Sequence, residues 1–342
     1  MSPTVAEVPP PFAVLDLMLG SMVTQAIYAA AELGVADLLH TDGPLTAEEI
    51  GGKLDANPDA LDRLLRFLAS LSIFEKRDDG GYALTERGDA LRSDAPMSMR
   101  GMARLMGHPT HWADWTGFLE AVRTGEAAVP KRHGGRSMFE VLTTEDEDYG
   151  RVFYGAMTNL SNTETAPLVA AYDYSRFGTI VDVGAGRGHL LAAVLQSAPG
   201  SRGILFDERA VANGAVGVLA EAGVAGRATI EGGPLFGPVP TGDAYMLKHI
   251  LHDWPQPQAL EILRNIRAAI SPEGRLLIME FVLPEDEAQH FGKLIDLWLL
   301  LLVGGRERTH TQYADLLAAA GFRLEQVVPT ATSISIVEAR PV

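Results

Sequence analysis

From Phe12 to about Leu39 apolar residues return at intervals of three and four, with Met18, Met22, Ala26, Ala29, Ala30 and Leu33 on one stripe, and this spacing predicts a helix. The segment is so poor in charge that it needs cover on more than one side. A core helix and a dimer interface both meet that need, the second because interfaces favour Met and are depleted in charge. Residues 1–11 carry four prolines and no period, which predicts a flexible arm. Residues 43–94 read as helix, helix and small hairpin. Thr46 with Glu49 three residues on forms a capping box, Asn57 before Pro58 opens a helix through Leu71, and FEKRDDGGYAL turns between two short strands at its Gly-Gly pair. That order is a winged-helix pattern. From about 95 to 170 the chain is predicted helical, rich in Trp112, Trp115, Phe118, Phe139, Phe153 and Tyr154, with a break at Gly134-Gly135.

After Tyr172 the period changes. TIVDV (179–183), GILF (203–206), ATIE, AYMLKHIL (244–251) and RLLIMEF (275–281) read as strands separated by helices, and FRLEQVV and SISIVEA close the chain. Repeated strand–helix units predict an α/β fold, a doubly wound parallel sheet, with an antiparallel edge made by the last two strands. The expected organisation is an arm over 1–11, a mainly helical winged-helix domain over 12–100, a helical linker and pocket region over 101–170, and a sheet domain over 171–342.

Composition narrows the function. The 342 residues exceed what one core usually serves, which agrees with at least two domains. Twenty-eight basic against 44 acidic residues give a net charge of −16, a field that repels nucleic acid and anionic lipid. The winged-helix stretch itself, residues 41–94, holds seven basic and twelve acidic side chains, so a DNA-binding regulator is disfavoured. With no cysteine there is no disulfide, thiolate nucleophile or cysteine metal site. The first basic residue is Lys53, and the longest strongly apolar run, Leu297 to Val303, is too short to cross a bilayer. A cytoplasmic protein without membrane or nucleic-acid partners is therefore expected.

The candidate chemistry starts directly after strand TIVDV, at Gly184-Ala185-Gly186-Arg187-Gly188. Glycines there permit a tight turn and the close approach of a ligand to the main chain. Twenty-one residues after Gly186, at the end of the next strand, Asp207 is placed to accept both hydroxyls of a ribose. A dinucleotide fingerprint needs glycine at 189, where His189 stands, so a nucleoside without a diphosphate is favoured. Arg187 and His189 are expected to face solvent. Alternation along AYMLKHIL-His252 puts Met246, Lys248, Ile250 and His252 on one side and His249 on the other. Glu280 ends a strand, and Glu307 follows a Gly-Gly pair, so three ionisable groups could converge on one place. Glu280 at the end of an apolar strand is hard to explain structurally, since a partly buried carboxylate wants a partner, but the others have blander readings. His252 and Asp253 could cap the next helix, Glu307 between Arg306 and Arg308 could be a solvated salt-bridge cluster, and Trp254 and Trp298 could be packing.

The segments DVGAGRG, LFDERAVA, GGPLFGPVPTGDAYMLKHILHDW, LLIMEFVLP and GGRERTHTQYADLLAAAGF resemble, essentially end to end, the plant caffeate-type and bacterial S-adenosylmethionine-dependent O-methyltransferases of small aromatic molecules. The resemblance implies a Rossmann-like catalytic domain and a homodimer formed through the N-terminal helices. It implies S-adenosylmethionine held by Asp182, Gly184, Gly186, Asp207, Leu235 and Lys248, with Gly184 against the methionine portion and Asp207 on the ribose. His252 is then the base, bracketed by Glu280 and Glu307, and no metal is called for. Met157, Asp253 and Trp298 are candidates for contact with the acceptor. A phenol of pKa near 10 is only about one part in a thousand ionised at neutral pH, roughly 4 kcal/mol short, which is why the reaction wants a base. One departure stands out: the family usually has Gly-Gly-Asp-hydrophobic where this chain has Gly232-Gly233-Pro234-Leu235, so a carboxylate expected near the adenine is missing. Relatives that use the cofactor for hydroxylation, decarboxylation or rearrangement form the alternative activity, and a winged-helix regulator with a ligand-sensing domain is the third reading.

Overall fold

The structure is a computed structural model and describes residues 9–342. Two compact units divide the chain: residues up to 113 together with 141–160, and residues 114–140 together with 161–342.

The first unit opens with a 24-residue helix, Pro10–Leu33. It begins inside the predicted arm, because a proline at the first helical position lacks only an N–H that would be unpaired anyway; residues 1–8 of that arm lie outside the described residues. The helix also stops earlier than expected. Gly34 takes φ 74° and closes it, and a second helix, Val35–Asp42, follows. At about 36 Å this first helix is long and apolar enough to cross a membrane. Asp16 and scattered Ser, Thr and Gln interrupt its apolar run, which is why a search by uninterrupted runs passes over it. Ala30 and Ala31 near its end are buried, while Phe12, Leu17, Met18 and Met22 are exposed.

The rest of this unit follows its local signals. Glu49 N–H donates to Thr46 Oγ1 at 3.3 Å and Thr46 N–H to Glu49 Oε2 at 2.8 Å, opening the helix Ala47–Leu54. The Asn57 side chain caps Pro58–Ser70, its Oδ1 accepting from Ala60 N–H. β1 (Phe74–Lys76) and β2 (Tyr82–Leu84) pair antiparallel across the predicted turn. Ile50, Leu61, Leu65, Leu68, Phe74 and Tyr82 form one core with Val35 and Leu39.

The second unit is built on a sheet of β3 (Thr179–Val183), β4 (Arg202–Asp207), β5 (Ala228–Gly232), β6 (Gly242–Lys248), β7 (Ile270–Leu283), β8 (Arg308–Thr309), β9 (Phe322–Pro329) and β10 (Ile334–Pro341). The order is β5-β4-β3-β6-β7-β10-β9, with β8 alongside β7. β3 to β7 run parallel, and β10 lies antiparallel to both β7 and β9. Both faces are covered, so alternate residues enter different cores. Ile180, Met246, Leu277 and Met279 pack with Leu191, Val194 and Leu195 of the helix His189–Ser197 on one face. Val181, Tyr245, Leu247 and Ile278 pack with Ile262, Leu263 and Ile266 of the helix Gln256–Ala269 and with Tyr313 on the other. The order reverses between β3 and β6, which opens the crevice where ligands of such sheets bind, beyond the carboxyl ends of the strands.

Candidate active site

The glycine turn sits at that crevice. Gly184, Gly186 and Gly188 all take positive φ (71°, 57° and 80°), conformations that side chains resist. A Cβ on Gly184 would also collide with the side chain of Ile250, so the loop after β6 closes on bare backbone. Gly186 N–H donates to Asp207 Oδ2 and Glu208 N–H to Asp207 Oδ1, each at 2.7 Å, which aims the carboxylate at the end of β4 back toward the turn. Burial raises Asp207 above the ordinary carboxylate range despite these two donors. Asp182, on β3 just before the turn, is buried with Oδ2 unpartnered among the described residues, and burial pushes it up to about 7 although Lys248 pulls the other way. Gly233 N–H donates to Asp207 O, and the Pro234 carbonyl accepts from Gly237 N–H, so Pro234 begins a tight turn that leaves Leu235 half-buried against the second core. A backbone cradle, an acid at the next strand end and an orphaned buried carboxylate oxygen fit a nucleoside cofactor.

At the end of β6 the structure departs from the alternation read in the sequence. The strand stops at Lys248, His249 takes φ 53°, and Leu251–Asp253 form a 3₁₀ turn. Period-two reasoning fails beyond Lys248. His249 therefore does not face away: its ring stacks on that of His252, 5.0 Å between centroids and 25° between planes. Its Nε2 lies 3.0 Å from both oxygens of Glu164, and Lys248 Nζ lies 2.5 Å from Ser161 Oγ and 3.3 Å from Glu164 Oε2. Burial works against ionisation of Glu164, but His249 and Lys248 prevail and hold it below the usual carboxylate value. Neither Ser161 nor Glu164 was legible in the sequence. Both lie on the helix Glu147–Ala171, more than 80 residues from their partners.

His252 is buried, with Nδ1 2.7 Å from Glu307 Oε1. Its Nε2 is 3.5 Å from Asp253 Oδ1. Burial pulls the imidazole down, yet the carboxylates of Asp253 and Glu307 carry it up to about 10. Burial raises Asp253 and Glu307 in turn, each opposed by His252.

Glu280 lies near enough to add to the charge that raises His252, but its hydrogen bonds go to the turn rather than to the imidazole. Its Oε1 accepts the main-chain N–H groups of Ile250 and His252 at 3.1 Å, and its Oε2 accepts from the Tyr313 hydroxyl at 2.6 Å. It is a fully buried brace for the turn. Asp253 does not cap the next helix either, since no side chain caps Gln256–Ala269.

Glu307 arrives from 55 residues away by three devices. β8 pairs Arg308 with Val282, Glu307 N–H donates to Asp296 Oδ1 at 2.8 Å, and Arg306 N–H donates to the His252 carbonyl at 2.8 Å. Gly305 lets the loop pass, because a Cβ there would collide with that carbonyl. Glu307 is buried, so the solvated-cluster reading of Arg306-Glu307-Arg308 is wrong; Arg308 is buried too and donates to Leu251 O. Trp298 is half-buried on the helix Phe291–Leu302 that supplies Asp296. Met157 is half-buried in the first unit, on the helix Glu147–Ala171.

A glycine cradle with an acid at the next strand end, and a carboxylate-held imidazole near the end of β6, fit an enzyme that binds a nucleoside cofactor. Residues 115–323 match the O-methyltransferase domain family and residues 15–94 the O-methyltransferase dimerisation domain, so the chain belongs to the O-methyltransferase family. A phenazine O-methyltransferase of Lysobacter antibioticus is 45% identical over 329 residues, covering 96% of this chain and 95% of that one. The crystal structure of LaPhzM superposes with a TM-score of 0.90 at 44% identity, covering 98% of this chain and all of the other. Human N-acetylserotonin methyltransferase, solved in complex with S-adenosylmethionine, gives 0.89 at 28% identity and 99% coverage of both chains. The family also holds an aclacinomycin 10-hydroxylase from Streptomyces purpurascens, 35% identical over 321 residues, 91% of this chain and 85% of that one. The protein is a small-molecule O-methyltransferase dependent on S-adenosylmethionine. Its winged-helix segment lies within the dimerisation domain, which replaces the regulator reading.

Proposed function

We propose that this enzyme methylates a hydroxyl of a flat aromatic acceptor, with His252 as the general base, in a homodimer joined through its N-terminal helices. The observation that carries the base assignment is the 2.7 Å contact between His252 Nδ1 and Glu307 Oε1. It fixes the proton on Nδ1 in the neutral ring and leaves Nε2 as the nitrogen that takes a proton from the acceptor. The phenazine-acting relative supports an aromatic acceptor.

Bound S-adenosylmethionine supplies an electrophilic methyl group on a sulfonium. The cofactor roles fall to Gly184 and Gly186 through their main chain, Asp207 through its carboxylate and Lys248 at the end of β6, with Asp182 beneath the turn and Leu235 at its rim. Asp253 and Trp298 are assigned to the acceptor. At neutral pH the free site holds His252 as an imidazolium. An acceptor therefore enters as a phenolate beside that cation, or the site sheds its proton before a phenol enters; the two routes have the same composition and share one pH dependence. Glu307 stabilises the imidazolium in both, and Glu280 with Tyr313 keeps the turn from shifting. Intracellular, soluble operation without nucleic acid is part of the same reading.

Incubation with methyl-labelled S-adenosylmethionine and a panel of hydroxylated phenazines, naphthoates and simple phenols tests the reaction. Label in an ether product supports it. Oxygen incorporation without label transfer would assign the chain to the alternative chemistry of hydroxylating relatives.

A further inference from the structure

Two imidazoles lie face to face at the end of β6, and each has its own carboxylate: His252 with Glu307 and His249 with Glu164. The reaction as described uses only the first pair. The second is held in an uncommon way. His249 is one of three non-glycine residues with positive φ among those described, a conformation that persists only where the surroundings enforce it and that collects at functional sites. Here the φ of 53° swings the ring to the His252 side of the strand, and Phe281 flanks it at 5.7 Å.

The hydrogen bonds fix the tautomer. Glu164 lies within bonding distance of His249 Nε2, so that nitrogen carries the proton, while Nδ1 is buried with no partner among the described residues. A lone pair is the cheaper group to leave orphaned there, because an unpaired N–H of a cation would forfeit a strong hydrogen bond in a low-dielectric place. The other charged or titratable groups around the stacked rings are Asp253 on the turn, Glu280 on β7 with Tyr313 bonded to it, and Glu307 with Arg308 beside it.

We propose that His249 and Glu164 form a positioning pair: Glu164 holds His249 as the neutral Nε2–H tautomer, and the electron-rich face of that ring stabilises the His252 imidazolium formed when the base takes its proton. A ring polarised by a carboxylate on its edge presents more negative charge on its face, and a cation within about 6 Å of an aromatic centroid is attracted to it. Because Glu164 also holds Lys248, the same carboxylate links the base to the cofactor side of the site. The proposal rests on His252 being the base.

The test uses the full-length enzyme with His249→Asn and Glu164→Gln. Asn tolerates positive φ and removes the ring with its Nε2–H; Gln keeps the shape of the carboxylate and removes its charge. Both variants are expected to move the acid limb of kcat/KM downward by about half a pH unit or more and to lower the maximum of the profile roughly tenfold. Imidazole nitrogen NMR of the ¹⁵N-histidine-labelled wild type is expected to show His249 with one protonated and one unprotonated nitrogen across neutral pH. S-adenosylhomocysteine affinity is expected to be kept in His249→Asn and weakened in Glu164→Gln, where Lys248 loses its partner. A limb unmoved in both variants with maxima within twofold, or a His249 protonated on both nitrogens, would overturn the proposal. His252→Ala run in parallel separates the two claims: if that variant keeps turnover the base assignment itself fails, whereas an inactive His252→Ala beside a normal His249→Asn removes only the stacked pair.

Discussion

His252 Nδ1 and Glu307 Oε1, both on buried residues, meet at 2.7 Å, and Gly305 is the residue that permits the meeting. The contact leaves Nε2 as the ring nitrogen not held by Glu307. His252→Ala is expected to lower kcat at least about a hundredfold while S-adenosylhomocysteine binding by calorimetry stays within a few fold. Near-normal turnover would take His252 out of the base role.

The loop geometry gives a second expectation. In Gly305→Ala the new methyl group collides with the His252 carbonyl, so the loop must retreat and carry Glu307 away from the imidazole. Turnover should fall toward that of Glu307→Gln, and the two substitutions combined should cost little more than either alone, because they break one interaction. Additive losses would show that the glycine serves something else.

The raised proton affinity of His252 sets a pH profile. With the imidazole near 10 in the free enzyme and phenols near 10 in solution, log kcat/KM is expected to climb with a slope near one between about pH 7 and 9, to reach a maximum near 10 and to fall above it. A flat profile from pH 6 to 8 would contradict the carboxylate-held imidazolium.

The same group contributes to stability. A folded-state value raised from 6.5 to about 10 means the folded protein binds this proton more tightly than the unfolded chain. The stabilisation is complete below about 6.5 and is lost as pH rises through about 10. Melting temperatures measured across that window should fall more steeply for the wild type than for His252→Ala, and parallel curves would argue against the shift.

Asp207→Ala is expected to weaken S-adenosylhomocysteine binding, because the carboxylate that orders the glycine turn through Gly186 is also the one assigned to the ribose. An unchanged dissociation constant would free Asp207 of the second role.

For the assembly, the exposed face of the first helix is the place to intervene. Leu17 is 82% exposed and Met18 67%. The wild type should scatter light as twice 36.7 kDa, and Leu17→Asp with Met18→Asp should leave a single-chain species. A wild-type monomer at micromolar concentration would remove the dimer.

What the sequence determined by itself was local. Period-two and three-to-four spacing located nearly every strand and helix of the sheet unit, the Thr46–Glu49 and Asn57 caps formed as read, and the glycines before the helix His189–Ser197 marked the turn, because these signals act over a few residues of backbone geometry. The tertiary structure decided what the site residues do. Alternation ended at Lys248, where the chain turned under two hydrogen bonds to Glu280, a residue 28 to 30 positions away. Glu307 reached His252 from 55 positions away and Glu164 reached His249 from 85, and no spacing rule spans such distances. Which carboxylate holds a base and which merely braces its backbone depends on atoms brought together by packing, so the residue types were readable in advance and their partners were not.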